Sequence, residues 1–245
     1  MRILVTNDDG LASEGLQVLA ALMRRKHDVW VVAPSTNCSG AGHGISMTDP
    51  LQYKSFGERE FSCSGLPVDC SIAGSFGIMK ERPDVVLSGI NLGANLGTDI
   101  VYSGTAAAAR QAVFSGLPGI AVSLVVEEEP YYWEPLANFV SNNLEALISL
   151  CSPECFVNIN APSLASYKGV RITGVSTRSY RDNLIMRDGP DGNKYSFFRG
   201  GIIETNGDDN SDSIAVANGY VSVSCIYAQP MSAAAADIKT PRFTV

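Results

Sequence analysis

Short, continuous apolar runs alternate with stretches of helical apolar spacing over the first two thirds of the chain. Ile3 to Thr6 forms the first run and ends abruptly in Asn7, Asp8, Asp9 and Gly10, the pattern of a buried parallel strand that empties into a loop. Ser13 then stands where a helix cap belongs. Leu16, Leu19, Ala20 and Met23 follow at helical spacing, and Arg24, Arg25 and Lys26 sit where the helix dipole favours positive charge. Val29 to Ala33 is a second buried strand, stopped by Pro34. A strand, a helix and a strand with so short a crossover predict parallel pairing and a right-handed connection.

Ser35 to Ile45 has no period and is rich in Ser, Gly and Asn, so it reads as a loop leaving the carboxyl end of the second strand. Asp69 to Lys80 predicts a helix. Val85 to Leu87 predicts a third buried strand, running into a loop that begins Ser88, Gly89, Ile90, Asn91. Ser103 to Phe114 carries an Ala-rich helix, Gly119 to Val126 a strand, Leu136 to Leu150 one amphipathic helix, and Phe156 to Asn160 another strand. This alternation predicts an α/β fold: a Rossmann-like, doubly wound, mostly parallel sheet in three αβα layers.

After Pro162 the texture changes. Val170 to Val175, Lys194 to Phe198 and Tyr220 to Ile226 read as strands, with a turn at Asp188-Gly189-Pro190-Asp191-Gly192. They predict a C-terminal antiparallel hairpin extension that reaches toward another subunit. The expected organisation is one domain over residues 1–245, with a core at 1–162 and a hairpin and C-terminal arm at 163–245. The acidic segment Glu204 to Asp212 reads as a solvated loop, and the tail from Ser232, with Ala233 to Ala236, as loosely ordered.

The chain has 245 residues, 45% hydrophobic and 18% charged, enough to bury about 70–75% of its unfolded surface. Disorder is excluded by that composition. A net charge of −7 argues against a sequence-independent grip on nucleic acid, which relies on Lys and Arg. A small anionic ligand remains open if something local supplies positive charge. The six cysteines fit no zinc spacing and read as reduced thiols. No segment has the pattern of a signal peptide or a membrane span, so the expectation is a soluble, cytoplasmic protein without a membrane partner.

In open parallel sheets the ligand crevice lies beyond the carboxyl ends of the strands. Four unusual loops are expected at that edge: Asn7 to Gly10, Cys38-Ser39-Gly40, Ser88 to Asn95, and Ser103-Gly104-Thr105. Two carboxylates about 4 Å apart repel by roughly 4 kcal/mol at an effective dielectric near 20. Adjacent Asp8 and Asp9 therefore call for a proton or a hard divalent cation between them, unless one caps a helix and the other faces water. Asn91 and Asn95 can offer amide oxygens to a cation or N–H groups to an anion. Ser103-Gly104-Thr105 begins a helix, where free N–H groups suit either phosphate or an ordinary cap. His43 stays outside the catalytic set, and Tyr102 is either a substrate wall or a packing residue. The absence of GxGxxG, GxxxxGK[ST] and GxSxG weakens dinucleotide, P-loop and hydrolase-elbow readings. Asp-Asp in place of Asp-x-Asp weakens a haloacid-dehalogenase-like phosphatase.

Together these motifs resemble the SurE family, the stationary-phase survival nucleotidases. The resemblance is carried by MRILVTNDDG at 1–10, VVAPSTNCSGAGHGIS at 31–46, PDVVLSGINLGANLGTDIVYSGTAAAAR at 83–110 and GYVSVS at 219–224. It implies a divalent metal, Mg²⁺ or Mn²⁺, one per subunit, on Asp8, Asp9, Ser39 and Asn91. It further implies a phosphate held by Asn95, Ser103, Gly104 and Thr105, and catalysis by Asp8, Asp9 and Asn95. The implied activity is hydrolysis of nucleoside monophosphates, 5′ and also 3′, by a homodimer or homotetramer joined through the hairpin. Members commonly have Thr-Pro where this chain has Ser224-Cys225. Two alternatives are a nucleotide-binding module without turnover and a phosphatase that uses an Asp nucleophile.

Overall fold

Ile3 and Val5 leave one face of the first strand and Leu4 the other, and all three are fully buried. Helices therefore cover this strand on both sides, which is why its sequence is continuously apolar. Each such side chain contributes about 1.5–3 kcal/mol relative to exposure. The computed structural model describes residues 1–231, without the side chains of 182 and 198–202. The tail from Ser232 lies outside the described residues.

The first strand, β1 (Arg2–Thr6), pairs in parallel with β2 (Asp28–Pro34) on one side and β5 (Val85–Leu92) on the other. From β2 the sheet continues to β4 (Glu60–Cys63) and its antiparallel neighbour β3 (Tyr53–Gly57). From β5 it continues in parallel through β6 (Gly119–Val125) to β7 (Cys155–Pro162). The winding thus reverses between β1 and β5. One face is covered by α1 (Glu14–Arg24), α4 (Trp133–Asn142) and α5 (Leu144–Leu150), the other by α2 (Pro67–Ala73) and α3 (Gly104–Phe114). The expected three-layer, doubly wound α/β architecture is present.

Several boundaries differ from expectation. Ser88 to Asn91 belongs to β5 and not to a loop: pairing with β6 pauses after Ser88, resumes at Asn91 opposite Ser123, and buries Ile90 between. The single helix expected over Leu136 to Leu150 breaks at Asn143, whose side-chain amide donates to the Phe139 carbonyl at 2.8 Å and competes with the helical ladder. β3 was invisible because all five of its residues are exposed.

After β7 the chain forms β8 (Val170–Ile172), shorter than expected, and then a two-stranded antiparallel ribbon of β9 (Thr177–Asp188) and β10 (Lys194–Asn206). The expected turn at 188–192 closes this ribbon. A short helix, α6 (Asp212–Ala217), leads to β11 (Val221–Tyr227), which returns to the main sheet antiparallel to β7 and parallel to β8. The acidic stretch is not a solvated loop throughout: Glu204 is in β10, and Asp212 is 0% exposed. All six cysteines are free thiols, and no helix among the described residues is long and apolar enough to cross a membrane.

Candidate active site

The turn after β1 is held by Asn7. Its amide nitrogen donates to the Gly10 carbonyl at 3.0 Å and to Ser13 Oγ at 2.6 Å, and its amide oxygen accepts from Gly10 N–H at 3.2 Å. Ser13 therefore spends its hydroxyl on this turn; its side chain does not cap α1 as the sequence led us to expect. The turn places Asp8 and Asp9 at the carboxyl edge, beside the reversal between β1 and β5, where ligands of such sheets sit.

Asp8 is 4% exposed and accepts a hydrogen bond from the Thr105 hydroxyl. Burial pushes its carboxyl above the usual range. The Thr105 hydroxyl and the amides of Thr105 and Gly104 partly offset that push. Gly104 permits the approach of α3, since a Cβ there would stand 2.8 Å from Asp8 Cβ. Asp9 is also pushed up, first by burial and further by the charge of Asp8, against the Leu92 N–H that donates to it at 3.0 Å.

The loop after β2 is drawn in by Cys38 N–H donating to the Asp8 carbonyl at 2.7 Å and by Asn37 accepting from Ser39 N–H at 2.7 Å. Asn91, at the end of β5, donates to the Gly93 carbonyl at 3.0 Å. Asn95 is the most firmly held of the set. Its N–H donates to Asn160 Oδ1 at 2.9 Å, its side chain to Ser123 Oγ at 2.8 Å, and its carbonyl accepts from both Asn158 and Asn160. Ser103 caps α3, accepting from Ala106 N–H at 2.9 Å.

Asp8, Ser39, Asn91, Asn95 and Ser103 line one cavity of about 530 Å³. Gly104 and Thr105 stand behind Asp8, and the Thr105 hydroxyl is committed to that carboxylate. Asp9 reaches the same edge through Leu92, which lines the cavity. Tyr102, 59% exposed, lines the mouth. His43 is elsewhere, hydrogen-bonded to Gln111 at 3.2 Å and edge-on to Phe114.

Sequence reasoning passed over Asp99 and Tyr180, which also line the cavity, and over the anchors Asn158 and Asn160. The anchors left a readable signal: two amides two residues apart in an otherwise apolar strand share one face. Tyr180 left none, because only the fold brings it near.

Among the described residues no Lys or Arg lines this cavity, and the donors at its Asp8 end are all oxygens or amides. No group of three or more His, Cys, Asp or Glu gathers among the described residues to hold a metal, at this edge or elsewhere, so any cation here would lean on hydroxyl and amide oxygens as well as the two carboxylates. Two burial-raised carboxylates with no basic partner among the described residues, flanked by hydroxyl and amide oxygens, fit a hard cation.

The model of the family described as survival protein SurE matches residues 3–182. The chain belongs to the SurE family. It is 42% identical over 233 residues to the 5′-nucleotidase SurE of Thermosipho melanesiensis, covering 92% of this chain and 91% of that one. It is 44% identical over 231 residues to the 5′-nucleotidase SurE of Petrotoga mobilis, covering 91% of each. Among solved structures, the SurE protein from Aquifex aeolicus superposes with a TM-score of 0.80 at 32% identity, covering 94% of this chain and 95% of that chain. The SurE fold is thus shown by sequence and by architecture alike.

Proposed function

We propose that this SurE chain is a metal-dependent phosphomonoesterase that hydrolyses nucleoside monophosphates, 5′ esters above all, with 3′ esters open to the same site. The observation that carries this reading is the Asp8–Asp9 pair at the carboxyl edge: Asp8 is buried and lines the cavity, half-buried Asp9 meets its rim at Leu92, and neither has a basic partner among the described residues. The relatives' names point to the same chemistry.

A hard divalent cation, Mg²⁺ or Mn²⁺, one per subunit, held by Asp8, Asp9, Ser39 and Asn91, would neutralise the pair, polarise a phosphoryl oxygen and make a water more acidic. Asn95, fixed on four sides, and the Ser103 hydroxyl at the start of α3 hold the other phosphoryl oxygens, where transition-state charge accumulates. Gly104 and Thr105 serve that end of the helix by holding Asp8. With Oδ1 engaged by Thr105, Asp8 Oδ2 accepts the proton of the attacking water. A carboxylate so restrained suits a fixed proton acceptor better than a nucleophile. Positioning and electrostatics then supply most of the catalysis. Tyr102 and Tyr180 form walls against which a base can lie.

Leu184, Met186, Tyr195 and Phe197 are exposed on the β9–β10 ribbon, and we read this apolar arm as the element that joins subunits into a dimer or tetramer in the cytoplasm. A phosphate-release panel of 5′- and 3′-nucleotides across metals tests the reading. Release from AMP or GMP that depends on added metal is the expected result. Binding of AMP with Mn²⁺ present but no release over hours would make the chain a binding module instead.

A further inference from the structure

Asn95 and Ser103 are joined by a strap that is fastened, residue after residue, to the root of the β9–β10 ribbon. Gly97 N–H donates to one carboxylate oxygen of the buried Asp212 at 2.7 Å, and Ser176 N–H donates to the other at 2.8 Å. Gly97 has φ +54, and a Cβ there would stand 2.4 Å from the Ser176 carbonyl, so the strap lies flat on that residue. Arg178 N–H donates to Thr98 Oγ1 at 2.9 Å. The Asp99 carboxylate takes the Arg178 guanidinium and the Tyr180 hydroxyl, while its carbonyl accepts from Ser103 N–H at 3.0 Å.

Arg178 thus grips the strap twice, by backbone and by side chain. Its ion pair with Asp99 is largely shielded, with side chains 16% and 11% exposed. Removing one partner of such a pair leaves the other charged and unsolvated.

We propose that Arg178 is a positioning residue for the phosphate-binding strap: through Asp99 it sets the placement of Asn95 against the Ser103 start of α3, and so couples the ribbon to the reaction. This rests on the reading of Asn95 and Ser103 as phosphate holders. Loss of the pair misplaces phosphate contacts common to every substrate, while Asp8, Asp9 and Asn91 lie outside the strap.

The test is kcat/KM for AMP and for p-nitrophenyl phosphate in Arg178→Met, with the Mn²⁺ concentration for half-activity measured alongside. The expected result is about a tenfold loss on both substrates, as for a lost charge-assisted hydrogen bond, with the Mn²⁺ requirement unchanged. Adding Asp99→Asn to Arg178→Met costs little more, because the pair acts as a unit. Arg178→Lys, which keeps the charge but one donor point, falls between and remains the readable variant if Arg178→Met does not fold. Loss on AMP alone would mean that Arg178 serves only the Tyr180 wall. That result, unchanged activity, or a shifted Mn²⁺ requirement overturns the proposal. A wild type that releases no phosphate from either substrate would overturn the nucleotidase reading separately. Calorimetric binding of inorganic phosphate with Mn²⁺ then reads the coupling directly, weaker by about tenfold in Arg178→Met if the proposal holds and unchanged if it fails.

Discussion

A Cβ on Gly104 would stand 2.8 Å from the Cβ of Asp8. The first turn of α3 is thereby pressed against the carboxylate at the end of β1, close enough for Thr105 to hydrogen-bond it. Gly104→Ala should push Asp8 from its seat, with Pro67 Cγ at 3.1 Å closing the other side. Misplacement on this scale costs about a hundredfold in catalysis, so kcat/KM for AMP is expected to fall by that factor while far-UV circular dichroism stays unchanged.

Asn160 exchanges two hydrogen bonds with the backbone of Asn95 from the neighbouring part of the sheet. Asn160→Leu leaves a buried N–H short of its partner and removes one of two donors to the carbonyl. The expected cost is about 1–3 kcal/mol, or roughly 2–8 °C in melting temperature, together with a lower kcat. Thermal denaturation and steady-state kinetics on the same preparation check both.

Burial raises the carboxyls of both Asp8 and Asp9, and the unfolded chain releases these protons at lower pH than the folded one. Stability of the metal-free chain therefore falls as pH rises from the ordinary carboxylate value through the raised folded values, and the loss is complete above them. A divalent cation held by the pair would offset that loss. The rise in melting temperature on adding Mn²⁺ is expected to be largest near neutral pH and to shrink on acidification, as protons compete for the pair. In Asp9→Asn the rise should largely vanish.

Ser39 and Asn91 bring neutral oxygens to the same end of the cavity. Ser39→Ala and Asn91→Ala should each raise the Mn²⁺ concentration needed for half-activity and leave kcat at saturating metal less affected than in Asp9→Asn. Metal titrations of phosphate release separate the two effects.

The β1–α1–β2 unit and the central strands β5, β6 and β7 were legible because burial on both faces writes an uninterrupted apolar run, whereas the four-residue, half-buried β4 writes none. Asp8, Asp9, Asn91 and Ser103 stood out as candidates because each closes such a run or opens the helix that follows one, and Asn95 because it stands in the Gly-rich loop that leaves β5. β3 and β9 were not, since exposed strands carry no obligatory alternation, and β9 mixes Arg, Tyr, Leu and Met without a period. Asp99 and Tyr180 meet across 81 positions in sequence, and Asp212 reaches Gly97 across 115. Nothing local marks such contacts: Asp212 reads as one more surface acid until the fold buries it.

The Asp8–Asp9 edge, as proposed, is a metal-dependent phosphatase centre. Its most direct test is phosphate release from AMP by wild type and Asp9→Asn, each stripped with EDTA and then given Mn²⁺. Wild-type release is expected to disappear on stripping and to return with Mn²⁺, while Asp9→Asn stays at least about a hundredfold lower with Mn²⁺ restored. Release that survives EDTA undiminished, or that Asp9→Asn matches, would contradict it.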